Sequence, residues 1–357
     1  MKSSTYLLVF LIIFFSLNPS GKASESKWKD LMDRAQSFYH EGRYTEGIRV
    51  AEEALSVAEE TFGFEHDAVA TTLNNLAGLY HSQGRLSEAE PLLTRALEIL
   101  QKVKRDDPQV AISLGNLANL YHSQGKYAEA ESFFQQSLDK WEEIPGPNEG
   151  YVAACLNNLA DLYHSQGRFD QAEALYKKVL MVREKNSGPD HLDVADSLNN
   201  LALLYKTQGK YAEAELLLTK SVNIREKALG SNHPDLATSL NNLADLYRLQ
   251  GKDAEAEPLF KRSLKIWRKS LGSDHPYVAI SLNNMGSLYH FQGKDVEAER
   301  FYKESIEIWQ KTPGESRSNM TVALNSLADL YHSQGKEIEA KTLYEQAAAV
   351  TEKGLVT

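Results

Sequence analysis

Basic charge, cysteine and long apolar runs are what this chain has least of. Its 357 residues carry 39 Lys and Arg against 49 Asp and Glu, a formal charge of -10. That balance excludes the basic footprint of a general nucleic-acid binder. Local basic clusters such as Lys261-Arg262 and Arg268-Lys269 have acids nearby and read as a solvated helix face. Cys155 is the only cysteine, so neither an intramolecular disulfide nor a cysteine metal cluster can form. Its helical setting reads as that of a small apolar filler. The sequence holds no glycine-rich phosphate loop and no metal-ligand helix motif. Ser, His and Asp are abundant because a repeat multiplies them. The reading is therefore non-enzymatic, with no catalytic residue, metal, cofactor or small-molecule substrate.

One apolar run stands out, the 12 residues from Tyr6 to Leu17. Lys2 precedes it, Asn18-Pro19-Ser20-Gly21 ends it, and small residues at Gly21 and Ala23 suit cleavage before Ser24. This is the pattern of a signal peptide over residues 1–23, with export to a periplasm or outside the cell expected. The run is short for a membrane span. An uncleaved anchor is the alternative, and the one route by which a membrane would become a partner.

What fills the rest is one unit, many times over. The stretch Ser239-Leu240-Asn241-Asn242-Leu243-Ala244-Asp245-Leu246-Tyr247-Arg248-Leu249-Gln250-Gly251 has versions ending at Gly42, Gly84, Gly125, Gly167, Gly209, Gly293 and Gly335. The glycines fall 42 residues apart, once 41, a period that marks a solenoid. Leu240, Leu243, Ala244 and Tyr247 follow the i, i+3, i+4, i+7 stripe of a first helix. Ala256, Phe260, Ser263, Leu264 and Trp267 carry a second. Ser87…Glu90 and Asp170…Glu173 fit a capping box at its start, and Pro91 and Pro258 fall within about its first turn. A connector follows, with Gly63…His66, Gly188…His191, Gly230…His233 and Gly272…His275 in step and the histidines placed at the helix start. Residues 27–66 form a degenerate capping unit, and residues 67–357 seven units of one continuous solenoid.

The positions Leu240, Leu243, Ala244, Tyr247, Ala256 and Phe260 resemble the signature of the tetratricopeptide repeat, as do Leu73, Leu76, Ala77, Tyr80, Ala89 and Leu93. The usual unit is about 34 residues. The longer one here, with Gly-x-x-His-Pro and Leu-Asn-Asn-Leu-Ala, looks like the repeats of kinesin light chain, although no N-terminal heptad coiled coil is present. The resemblance implies an all-α, right-handed superhelical solenoid of stacked antiparallel helix pairs whose first helices line a concave groove.

On that implication the groove would be lined by Asn74 and His81; Asn119 and His122; Asn157, Asp161 and His164; Asn199 and Lys206; Asn241, Asp245 and Arg248. Asn283 and His290 continue it, then Asn325, Asp329 and His332. Thr238, Asn242, Asp245 and Leu249 form a neighbouring stripe. Asparagine is a mediocre helix-interior residue, so the recurring pairs ask for a cause. A carboxamide both donates and accepts, and a row of them could hold an extended peptide backbone. The first of each pair is read as the ligand contact. The second (Asn75, Asn116, Asn158, Asn200, Asn242, Asn284) is read as setting the stacking. Asp161/His164 and Asp329/His332 are candidate i, i+3 ion pairs that would raise the histidine pKa. The expected partner is a protein or extended peptide, not nucleic acid. Units this alike also suggest end-to-end self-association near Tyr344 to Lys353. A membrane-tethered assembly factor and a cytoplasmic cargo adaptor like kinesin light chain are the alternatives.

Overall fold

The computed structural model describes residues 19–103, 107–146, 148–312 and 316–355. The apolar run of the expected signal peptide lies outside the described residues. Those described form sixteen α-helices and no strand, the all-α array of helix pairs that the period implies. Two bodies are distinguished. The first, Lys2–Arg168, holds α1 (Pro19–His40) with α2 (Tyr44–Phe62), α3 (Asp67–Ser82) with α4 (Leu86–Val103), α5 (Pro108–Ser123) with α6 (Tyr127–Glu143), and α7 (Glu149–Ser165). The second, Phe169–Thr357, opens on α8 (Phe169–Ser187) and pairs α9 (Leu192–Thr207) with α10 (Tyr211–Leu229). It continues with α11 (Pro234–Leu249) and α12 (Asp253–Leu271), α13 (Pro276–Phe291) and α14 (Asp295–Lys311), α15 (Ser316–Ser333) and α16 (Glu337–Leu355).

The apolar stripes go where their spacing sends them. Leu240, Leu243, Ala244 and Leu246 of α11 are buried against Phe260, Leu264 and Trp267 of α12 and Val278 and Leu282 of α13. Leu73, Leu76 and Ala77 do the same in the first body against Leu93, Leu97 and Leu100. Each first helix ends at a glycine with φ between 71° and 74°, from Gly42 through Gly335, a left-handed turn that costs a β-carbon dearly. Gly286 is a different case. It lies inside α13, and a Cβ there would meet the buried Tyr302 ring at 2.6 Å.

The connector histidines are caps. Nδ1 of His66, His191, His233 and His275 accepts the backbone N–H two residues on, each at 3.2 Å. Asp107 does the same for α5, from Gln109 at 2.9 Å. Pro108, Pro234 and Pro276 then take the first helical positions, where a missing donor is harmless.

Two expectations for the second helices change. Pro91 and Pro258 sit beyond the first turn, because α4 and α12 already begin at Leu86 and Asp253. Both prolines are exposed, so their rings meet solvent. The capping boxes are not the use made of Glu90 and Glu173. Ser87 Oγ donates to Glu88, while Glu90 accepts from Tyr121 at 3.1 Å and Gln124 at 2.9 Å of the next unit. Glu173 likewise accepts from Tyr205 at 3.0 Å and Lys210 at 3.2 Å.

This bond recurs along the chain. Tyr163 donates to Glu131, Tyr247 to Glu215, Tyr289 to Glu257 and Tyr331 to Glu299, at 2.8 to 3.3 Å. The basic residue after each turn glycine covers the same ring, as Arg168 does over Tyr163 at 4.0 Å. The series has two blank ends. Phe38 stands where later first helices have tyrosine, and Lys341, exposed, where earlier second helices have glutamate. In α16 the places of the buried Ile306 and Trp309 are taken by Ala348 and Thr351, both exposed. The bond between units and its apolar backing therefore have no counterpart at these two positions.

Candidate functional site

The asparagines sit closer to the packing than a single-helix projection suggests. Asn74, Asn199, Asn241 and Asn283 are buried, at 5 to 8% exposure. Asn74 Nδ2 donates to Ser113 Oγ at 2.8 Å and its Oδ1 accepts from Asn116 at 3.4 Å. Asn199 Oδ1 accepts from Asn242 at 2.9 Å. So the second asparagine of one unit bonds the first of the unit before. The stacking role expected for Asn116 and Asn242 is the one they fill, but Asn74 and Asn199 share it. At those positions first and second asparagines alike take part in bonds between units, because the partner lies one unit away along the stack.

The ladder is incomplete further on. Oδ1 of Asn241 and of Asn283 is occluded and has no hydrogen-bond partner among the described residues. Ser326 stands where a second asparagine would reach Asn283, and its Oγ donates to Val322 O instead. Asn284 is buried, while Asn75, Asn158, Asn200 and Asn325 are partly exposed. Asn157 donates within its own helix to Asp161 at 3.2 Å. Asn119 is half-buried, with an occluded Oδ1.

The row of histidines divides by body. In the first, His81 Nε2 meets Ser123 Oγ at 2.8 Å and His122 Nε2 meets Ser165 Oγ at 3.0 Å, closing the face by His–Ser contacts between units. Burial holds the His81 imidazole down at about 4. His164 is half-buried. The i, i+3 pair expected at Asp329/His332 is replaced. Asp329 accepts the Tyr344 hydroxyl at 2.5 Å and His332 faces Glu337 at 3.1 Å. His290 similarly faces Asp295 at 3.1 Å. Among the described residues no group of three His, Cys, Asp or Glu is placed to share a metal ion. Cys155 is buried, its thiol pushed up to about 11 by burial, which makes it a poor nucleophile at neutral pH.

In the second body the face changes character at α9, α11 and α13. Lys206 Nζ reaches Asp245 Oδ2 at 2.8 Å, and Arg248 Nη2 holds Oδ1 at 2.7 Å. Desolvation pushes the Asp245 carboxyl up, but Lys206 and Arg248 outweigh it and keep it below its ordinary value. At the position of Ser123 and Ser165 this body has Leu249 and Phe291, which are 42% and 72% exposed. The Arg248 guanidinium lies 5.8 Å from the Phe291 ring. Two cations around one carboxylate, next to two apolar side chains in water, are more than packing requires. Leu249 was visible as part of a polar stripe. Phe291 was not, since only alignment of the copies shows it standing where most have serine.

A family model described as tetratricopeptide repeat matches residues 31–102, 109–185, 166–227, 217–269, 235–311 and 284–353. No curated protein matches. Among solved structures, BtubC (BKLC) from P. vanneervenii is similar, with a TM-score of 0.55 and 24% identity over 62% of this chain and 90% of that one. A putative kinesin light chain from Podosopora anserina gives 0.50 and 22% identity over 59% and 98% of the two chains. A Rap protein complexed with Competence and Sporulation Factor gives 0.60 and 14% identity over 94% and 99%. At these identities the likeness is one of fold.

Proposed function

The chain belongs to the tetratricopeptide repeat family, and from that premise we propose that it is a non-catalytic scaffold holding a peptide segment or protein partner on the first-helix face of its second body. The observation that carries this is the exposed Phe291 beside the Lys206–Asp245–Arg248 cluster. An aromatic anchor next to charged groups that fix orientation is how protein interfaces concentrate their energy. The Rap neighbour, solved with a bound factor, supports the same use of this fold. The test is crosslinking capture of the native partner by the full chain against Leu249→Ala/Phe291→Ala, both exposed changes. Capture falls in the variant while its helical signal is unchanged. Equal capture places the partner elsewhere on the array.

The scaffold works, on this reading, after export. Lys2, the apolar Tyr6 to Leu17 and the small Gly21 and Ala23 support it. N-terminal sequencing of the mature protein decides, with Ser24 as the expected first residue. A chain beginning at Met1 in the membrane fraction would make it a tethered assembly factor. The same chain in the cytosol would make it an adaptor of the kinesin-light-chain kind.

A further inference from the structure

In a chain of net charge -10, α12 gathers Lys261, Arg262, Lys265, Arg268 and Lys269 within nine residues that include no acid. Along the sequence, acids lie near them. In space only some are balanced. Lys261 bonds Glu257 at 2.6 Å, Arg262 bonds Glu226 at 2.5 Å, and Arg268 bonds Glu304. Lys265 and Lys269 are exposed and make no ion pair among the described residues.

Lys269 shows why. The lysines one unit before and one after it are tied to their connectors, Lys227 to Asp190 at 3.4 Å and Lys311 to Asp274 at 2.9 Å. The matching connector position for Lys269 is Asn232, which has no charge to offer and whose amide donates to Ser231. The result is a stripe with spacing i, i+3, i+4, i+7, i+8. Lys261, Leu264, Lys265, Arg268 and Lys269 line an open cleft of about 420 Å³. Leu264, 7% exposed, is its apolar floor. At 1.5 Å per residue the stripe is about 12 Å long.

We propose that this stripe of α12 docks an acidic segment of a partner polypeptide, with carboxylates on Lys265 and Lys269 and an apolar side chain over Leu264. The surroundings select a narrow occupant. On the neighbouring α14, Glu307 is exposed at the position equivalent to Lys265, and Glu304 already holds Arg268. A duplex nucleic acid or an anionic bilayer, each broader than one helix, would lay its phosphates against those carboxylates as well as on the lysines. A single extended or helical segment lying along α12 avoids them. This site is independent of the first-helix face.

The test is fluorescence anisotropy of the full chain with a labelled peptide alternating glutamate and leucine. Labelled single-stranded DNA of matched charge and vesicles of anionic phospholipid serve as the other probes. The peptide binds, its binding weakens as salt is added, and Lys265→Glu/Lys269→Glu lowers affinity about tenfold or more with an unchanged helical signal. Asn232→Asp also weakens binding without touching α12, by giving Lys269 the partner that Lys227 and Lys311 have. No peptide binding, equal binding by the double variant, or tighter binding of DNA or vesicles than of peptide overturns the proposal.

Discussion

Tyr163 donates its hydroxyl to Glu131 at 2.8 Å, from the first helix of one unit to the second helix of the unit before. Arg168 lies over the same ring and pairs with the same carboxylate at 2.6 Å, and that guanidinium is the main reason the Glu131 carboxyl is held below its ordinary value. The tyrosine thus does two jobs, ring in the packing and hydroxyl in the bond between units. Replacing Tyr163 by Phe removes only the second. The expected loss is about 1 kcal/mol of unfolding free energy, read by chemical denaturation. A loss near zero would mean that water satisfies Glu131 equally well.

The cap at His275 is acid-sensitive. His275 Nδ1 must be unprotonated to accept the Tyr277 N–H, and burial holds its pKa below the ordinary 6.5. His81 is shifted the same way, to about 4. In both, the unfolded chain takes up the proton first as pH falls. The contribution to stability is therefore complete above about pH 6.5 and is lost as pH drops through the folded values. His275→Asn keeps a side-chain cap but removes one titration. Its stability should match the native protein at pH 7 and fall less steeply below pH 6. Parallel curves would show that His275 does not contribute.

Gly286 tests the packing of α13 on α14. Alanine is ordinarily the better helix residue, yet a Cβ here meets the Tyr302 ring at 2.6 Å. Gly286→Ala should destabilise by about 1–3 kcal/mol. Tyr302→Leu, the residue type at the equivalent Leu218, should make the alanine tolerable. A double-mutant cycle with no coupling would refute the clash.

The ends should keep the protein monomeric. Phe38 has no hydroxyl to give and Lys341 no carboxylate to receive it. Phe38→Tyr/Lys341→Glu restores the rung but leaves Ala348 and Thr351 in place of an apolar seat, so light scattering at high concentration should show both native and variant chains monomeric. Association of the native chain would disprove this.

How much of this could be read beforehand follows from distance along the chain. Leu240, Leu243, Ala244 and Tyr247 announce their helix because their neighbours are three and four residues away. The Tyr–Glu, Asn–Asn and His–Ser bonds between units join residues some 28 to 43 apart. A projection of one helix is blind to them. It sorted Asn74 from Asn75 by angle, whereas what decides is that Ser113 and Asn116 lie opposite Asn74. The Ala-Glu step at Glu90, Glu131, Glu173, Glu215, Glu257 and Glu299 was in plain view. From sequence Glu90 and Glu173 read as capping-box residues and Tyr80 and Tyr247 as core, so the bond between such residues goes unseen. Phe291 escaped for a related reason, since it departs from the repeat instead of repeating.

The blank positions at Phe38 and Lys341 have a consequence for how such a chain can change. A gene segment encoding one whole period, duplicated or deleted between Gly84 and Gly293, leaves every tyrosine facing a glutamate. Length is therefore free to vary by whole periods. A segment moved from the interior to either extremity carries a live hydroxyl or carboxylate into solvent and reopens the stack. The units that hold Phe38 and Lys341 act as punctuation, and those between as text that can be lengthened without being rewritten.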